Sequence, residues 1–181
     1  MSVNLNAAAQ GGNLVLSRAG AATANLSAVA STGAKTYTTQ AMTFTVQGKL
    51  YYVAGAAGAT TPVLDGVTGK TFIALQKNQG CAYMWAVNAA GVVALVQGPV
   101  PVTATTVITI TNVDDSGNFS LVPQMPPLPD TFTPFAYMIV RLQSTYAGTG
   151  FIAGSSDNWN ATGVVTTTQD LFSLPAFPQI A

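Results

Sequence analysis

The sequence contains no histidine and no glutamate, and its single cysteine is Cys81. A Ser-His-Asp or Cys-His catalytic arrangement is therefore impossible within one chain, because both need an imidazole as the general base. A lone cysteine also excludes an intrachain disulfide and a metal site built from several thiolates. Cys81 begins the apolar run Cys-Ala-Tyr-Met-Trp, which predicts a small core side chain rather than a reactive thiol. The sequence thus predicts a protein that is not an enzyme and needs no cofactor.

Charged residues are scarce, at 7% of the chain, whereas a typical globular protein has about 25%. Six basic residues balance six acidic ones, and every acidic residue is aspartate, which favours turns between strands over helices. The basic residues are scattered and form no stripe that would neutralise phosphates, so we expect no nucleic-acid binding. A surface with so little charge provides weak repulsion between copies, which predicts a chain that functions in an assembly.

Long apolar runs are also missing from the sequence. No window approaches the roughly 18 consecutive apolar residues of a membrane-spanning helix, and the first residues lack the charged and apolar regions of an export signal. We therefore expect synthesis in the cytosol without standard export, and no membrane partner.

Strand-like segments are abundant and recur about every ten residues with turn residues between them, a pattern typical of sandwiches and barrels. The sequence predicts one hairpin over residues 42–53 with Gln47-Gly48 as its turn, and a second over residues 71–87. A strand at 92–97 would extend the second hairpin into a meander. Shorter strands are expected at 107–111, 119–122, 151–152 and 164–168. The predicted fold class is all-β: an antiparallel β-sandwich or partly open barrel with an extended N-terminal arm.

Residues 128–142 form the segment around which we expect the chain to be organised. Phe135, Tyr137 and Ile139 alternate with apolar residues from Ala136 to Leu142, so that both faces of a strand would be apolar. A helix is the competing interpretation, but Pro134 and the β-branched and aromatic content argue against it. The prediction is a central strand covered on both sides, or covered by the core on one side and by another subunit on the other.

The chain divides into an Ala/Gly-rich N-terminal arm, residues 1–34, and a single β domain, residues 35–181. The arm has too few large side chains to form a core, so it is either a disordered tail or a segment that lies along a neighbouring subunit. The second interpretation is favoured, with Leu14, Val15, Leu16 and Arg18 as candidate contacts. Within the β domain, the proline-rich residues 123–134 are expected to cross the molecule as an extended segment.

Several short stretches resemble a group of small structural proteins of tailed bacteriophages, which includes capsid decoration (cement) proteins, head fibres and tail parts. The stretches are residues 12–18, 79–81, 128–131 with 134–137, 158–163, and 170–175. The resemblance implies a virion component assembled in the host cytoplasm. We expect a capsid decoration protein that contacts the major capsid protein and copies of itself, with a homotrimer as the expected state. The alternative is a tail or head-fibre component with a receptor- or glycan-binding loop.

Two polar stretches are candidates for chemistry or binding. Asp114 and Asp115 lie in Asp-Asp-Ser-Gly-Asn, which is typical of a turn and lacks the bidentate glutamate and spacing of an EF-hand calcium loop. Trp159 lies among Asn and Asp residues and is a candidate interface residue, because its ring could stack on a glycan. The favoured interpretation places Trp159 in the core or at a subunit boundary, with its polar neighbours forming a turn.

Overall fold

The computed structural model describes residues 35–101, 111–155 and 158–171. Candidate contacts Leu14, Val15, Leu16 and Arg18 lie outside these residues, as does almost all of the strand expected at 107–111. The described part contains eight strands and no helix: β1 (Thr36–Tyr37), β2 (Met42–Val46), β3 (Lys49–Val53), β4 (Ala59–Thr60), β5 (Gly80–Asn88), β6 (Val93–Gln97), β7 (Phe132–Leu142) and β8 (Val164–Asp170). None of the described residues forms a helix long and apolar enough to cross a membrane.

The largest sheet has four antiparallel strands in the order β6-β5-β7-β8, with β6 and β8 at its edges. Two smaller antiparallel pairs, β2-β3 and β1-β4, complete the strands. Met42, Phe44 and Val46 of β2 share one buried cluster with Tyr83 and Trp85 of β5, so the hairpin packs on a face of the larger sheet. The all-β, sandwich-like class predicted from the sequence is therefore confirmed, and the sheets do not close into a barrel.

Strand β7 lies between β5 and β8, which confirms the central strand predicted from residues 128–142 and excludes the helix. Ala136, Met138, Val140 and Leu142 face the core with at most 1% exposure, whereas Tyr137, Ile139 and Arg141 on the opposite face are half-buried. Phe135 does not follow the predicted alternation. It is fully buried because a β-bulge opposite Trp85 and Ala86 inserts it as an extra residue, so that Phe135 and Ala136 are both in the core.

The first predicted hairpin is confirmed, because β2 and β3 pair directly and Gln47 and Gly48 form the turn with positive φ angles of 50° and 75°. The prediction of a second hairpin over residues 71–87 is wrong. Residues 71–76 form only isolated bridges, and the two edges of β5 are occupied by β6 and β7. Phe72 and Leu75 are buried while Ile73 between them is 51% exposed, a spacing that does not follow the two-residue period of a strand.

Of the other expected strands, 92–97 is present as β6 and 164–168 lies within β8. Residues 119–122 and 151–152 contribute only isolated bridges, Val113 to Phe119 and Leu75 to Phe151. Residues 123–131 form no strand before β7 begins at Phe132. The prediction that the crossing segment continues to residue 134 is wrong, because residues 132–134 belong to β7, where Pro134 pairs with Ala86.

Candidate interaction surface

Trp159 lies in the core rather than on the surface, and only 2% of it is exposed. Its ring centroid is 5.4 Å from that of Phe151, 6.2 Å from Tyr83 and 6.5 Å from Trp85. The indole Nε1–H donates to the hydroxyl oxygen of Thr61 at 3.2 Å. The core position, which the sequence favoured over an exposed glycan contact, is therefore confirmed for Trp159, because the turn before β8 directs the ring inward. A glycan cannot stack on this indole in the folded chain.

Cys81 is fully buried in β5, as the sequence predicts for a core residue. Its thiol donates to the carbonyl oxygen of Gly98 at 3.2 Å. Burial raises the pKa of Cys81 to about 12. Burial likewise raises the pKa of Tyr83 well above its ordinary value. Both groups are therefore held in their neutral forms across the physiological range.

We expect the buried thiol to make the protein less stable in alkali. Between the ordinary pKa of 9.0 and the raised pKa of about 12, the thiol is ionised in the unfolded chain but still protonated in the folded one. The free energy of unfolding therefore falls as the pH rises through this range. Denaturant unfolding should show a steep loss of unfolding free energy above pH 9, and Cys81→Ala should lose less over the same range. If the unfolding free energies of the unaltered protein and Cys81→Ala fell in parallel above pH 9, the raised pKa of Cys81 would be contradicted.

The segment from Asp114 to Asn118 is a turn, as predicted. The Asp114 carboxylate accepts hydrogen bonds from the backbone and the side-chain amide of Asn118, each at 2.8 Å. The Asp115 carboxylate accepts from the backbone N–H and the hydroxyl of Ser144 at 2.7 and 2.5 Å. These bonds lower the pKa of both carboxyl groups, so they stabilise the fold above the ordinary carboxyl pKa and their contribution is lost as the pH falls through the lowered values. Both carboxylates thus hold loops together.

A shallow groove of about 150 Å³ lies between residues 99–101 and 121–124. That volume is smaller than the roughly 300–1,000 Å³ of typical small-molecule pockets. Across the residues that the structure describes, no group of three or more His, Cys, Asp or Glu side chains is placed to hold a metal ion.

The outward face of the β2-β3 hairpin is the most exposed apolar feature of a regular element. Leu50 is 70% exposed and Tyr52 is 69% exposed, and they lie opposite Thr45 and Thr43 in the hairpin register. We call these four uncharged residues the hairpin face. The nearby Lys49 pairs with Val46 and lies on the opposite face of the hairpin, so it adds no charge to this surface. Exposed large apolar side chains on an uncharged surface are characteristic of contact surfaces between proteins.

The sequence predicts the hairpin but not which of its faces is open. Residues 49–53 read Lys-Leu-Tyr-Tyr-Val, so either Leu50 and Tyr52 or Tyr51 and Val53 could face the core. The cross-strand register decides the matter: Tyr51 stacks beside Phe44 at 5.9 Å and packs against the core, which leaves Leu50 and Tyr52 outside. The threonines at 43 and 45 are the available signal, because a polar face on one strand marks the outward side of its partner.

Comparisons of this chain with protein-family models, with curated proteins and with solved structures returned no match to any of the three.

Proposed function

We propose that the protein is a bacteriophage virion structural protein, a capsid decoration protein that stabilises the head shell through contacts with the major capsid protein and with copies of itself. The observation that carries the proposal is the uncharged hairpin face, where Leu50 and Tyr52 are about 70% exposed. Low overall charge and the resemblance of the short sequence stretches to phage structural proteins support the same class. In this proposal residues 1–34 act as the arm that lies over a neighbouring subunit.

The hairpin is suited to binding because its inward face anchors it firmly. Met42, Phe44 and Val46 are at most 3% exposed, so the hairpin position is fixed by the core and not by its outward side chains. A rigid element loses little conformational freedom on binding, and Tyr is among the residues enriched at binding hot spots. Burying Leu50 and Tyr52 against a shell would stabilise the bound state by mass action, which is how a decoration protein resists shell disruption.

The double variant Leu50→Ser/Tyr52→Ser should fold normally but bind weakly to particles prepared without this chain. Loss of two well-packed contacts costs at least about 2 kcal/mol, which corresponds to roughly 30-fold weaker binding. The measurement is a binding isotherm of the purified chain on such particles, with circular dichroism to verify the fold.

The matched control is Ile73→Ser/Val92→Ser, which removes two apolar side chains that are 51% and 57% exposed outside the hairpin face. The control should bind as the unaltered protein does. Equal binding by both double variants would refute the hairpin face as the contact with the shell.

A further inference from the structure

The two edges of the four-stranded sheet differ in how they are covered. At the β6 edge, the backbone N–H of Gln97 donates to the Asp65 carboxylate at 2.9 Å, and the N–H of Gly66 donates to the Leu95 carbonyl at 2.9 Å. The Gln97 side-chain amide also exchanges two hydrogen bonds with the backbone of Ile73, at 2.7 and 2.8 Å. The loop from Asp65 to Ile73 therefore closes this edge to further strands.

At the opposite edge, β8 pairs with β7 on one side, and no other strand within 35–101, 111–155 or 158–171 pairs with it. The N–H of Leu171 donates to the Phe135 carbonyl at 2.8 Å, so the backbone hydrogen-bonding groups of Leu171 point towards β7. Because backbone groups alternate in direction along an antiparallel strand, those of Thr167 also point to β7 and those of Thr166 and Thr168 point away from it. Two N–H groups and two carbonyls are thus directed outward from the centre of β8.

Strand β8 also lacks the features that usually protect an edge. Residues 164–169 read Val-Val-Thr-Thr-Thr-Gln and contain no charge and no proline, and the β7-β8 register is continuous without a bulge. Thr167, Thr168 and Gln169 are exposed. Such an edge is a template for another strand.

We infer that the β8 edge is a self-association site, at which β8 of a second copy of this chain adds in antiparallel orientation across a twofold axis at Thr167. In this register Thr166 lies opposite Thr168 of the partner subunit, and Thr168 lies opposite Thr166 of the partner subunit. Each outward-pointing N–H of these residues then faces a carbonyl of the partner subunit. The two pairs form four ladder hydrogen bonds. Two four-stranded sheets thereby become one continuous sheet of eight strands.

The side chains fit this register. Thr167 lies opposite Thr167 of the partner subunit, and Thr-Thr pairs across antiparallel strands are favourable. Asp170, the only charged residue of β8, lies opposite Val164 of the partner subunit at each end, so no like charges face each other. Self-association at this edge does not depend on the virion proposal, and a twofold contact is compatible with a threefold one elsewhere on the chain.

Charge substitution at position 167 tests the twofold axis in the full-length chain. Thr167→Lys and Thr167→Asp each place like charges directly opposite across the axis, so each variant alone should sediment as a smaller species than the unaltered protein. An equimolar mixture of the two variants should recover the larger species, because Lys then faces Asp. Thr149→Lys, at an exposed loop position, is the matched control and should leave the sedimentation unchanged.

A cysteine cross-link tests the same register independently. Cys81 is fully buried, so Thr167→Cys places an accessible thiol opposite its own symmetry copy, and it should oxidise to a disulfide-linked dimer much faster than Thr149→Cys. The inference is overturned if the unaltered chain remains monomeric and Thr167→Cys cross-links no faster than Thr149→Cys. It is also overturned if oligomers persist unchanged in Thr167→Lys and Thr167→Asp, since the contact would then lie elsewhere. Either result would leave the test of capsid binding unaffected.

Discussion

Trp159→Ala is expected to lower the free energy of unfolding by about 3–5 kcal/mol, the range observed when a large aromatic side chain is removed from a core. The indole contacts the rings of Phe151, Tyr83 and Trp85 and is 2% exposed, so its removal leaves a cavity beneath the centre of β5. Since domains are stable by only about 5–15 kcal/mol, this loss would be a large share of the total. Urea unfolding followed by circular dichroism measures it.

Tyr52→Ala is the matched control, because it removes another large aromatic side chain from a position that is 69% exposed. It should change the unfolding free energy by no more than about 0.5 kcal/mol. Thr61→Val should fall between the two, at about 1–3 kcal/mol, because it leaves the buried Nε1–H of Trp159 without its acceptor. If Trp159→Ala were as stable as Tyr52→Ala, the ring would have to be outside the core.

Gly163→Ala should destabilise the fold more than Gly48→Ala, although both glycines have similar positive φ angles, +82° and +75°. A Cβ at position 163 would lie 2.5 Å from the backbone nitrogen of Tyr146 and 2.6 Å from its Cα, and neither atom belongs to a flexible side chain. A Cβ at position 48 would meet nothing within 4 Å. The second variant therefore carries only the cost of the left-handed conformation, about 1–2 kcal/mol, whereas the first adds a steric cost of about 1–3 kcal/mol.

The difference between these two variants isolates the contact between Gly163 and the chain at Tyr146. That contact holds the start of β8 against the end of β7, where the N–H of Gln143 donates to the Gly163 carbonyl at 2.8 Å. Equal unfolding free energies for Gly163→Ala and Gly48→Ala would show that the two segments do not pack as closely as described.

The elements that the sequence predicts correctly are those with strong local signals. Gln47-Gly48 between two alternating segments identifies the first hairpin, and the doubly apolar run after Pro134 identifies the central strand. Asp114 to Asn118 is equally recognisable as a turn, since Asp, Ser, Gly and Asn all favour one.

The failures arise where long-range packing decides the structure. Residues 71–76 have the composition of a strand, but β6 and β7, the latter more than forty positions away in the chain, occupy both edges of β5. The bulge that buries Phe135 is also invisible locally, because it depends on the register with Trp85. Trp159 is ambiguous from the sequence for the same reason: its polar neighbours are compatible with a surface loop, whereas the ring reaches the core beside Tyr83.

The candidate contact surfaces depend on register as well. Composition leads us only to expect contacts with neighbours, and the open face of the hairpin follows from the pairing of Leu50 with Thr45. The open edge of β8 follows from the position of that strand at the end of the sheet order among the described residues. The threonines at 43 and 45 are a local signal for the hairpin face, whereas no single segment of sequence indicates that β8 lies at an edge.

The proposed virion role is tested most directly by quantitative mass spectrometry of purified phage particles. Chymotrypsin should supplement trypsin, because six basic residues produce few useful peptides. A decoration protein predicts a molar ratio to the major capsid protein near one or near a simple fraction such as one third. A few copies per particle would contradict the decoration role and indicate a tail or fibre component, and absence of the chain from particles would contradict the virion role altogether.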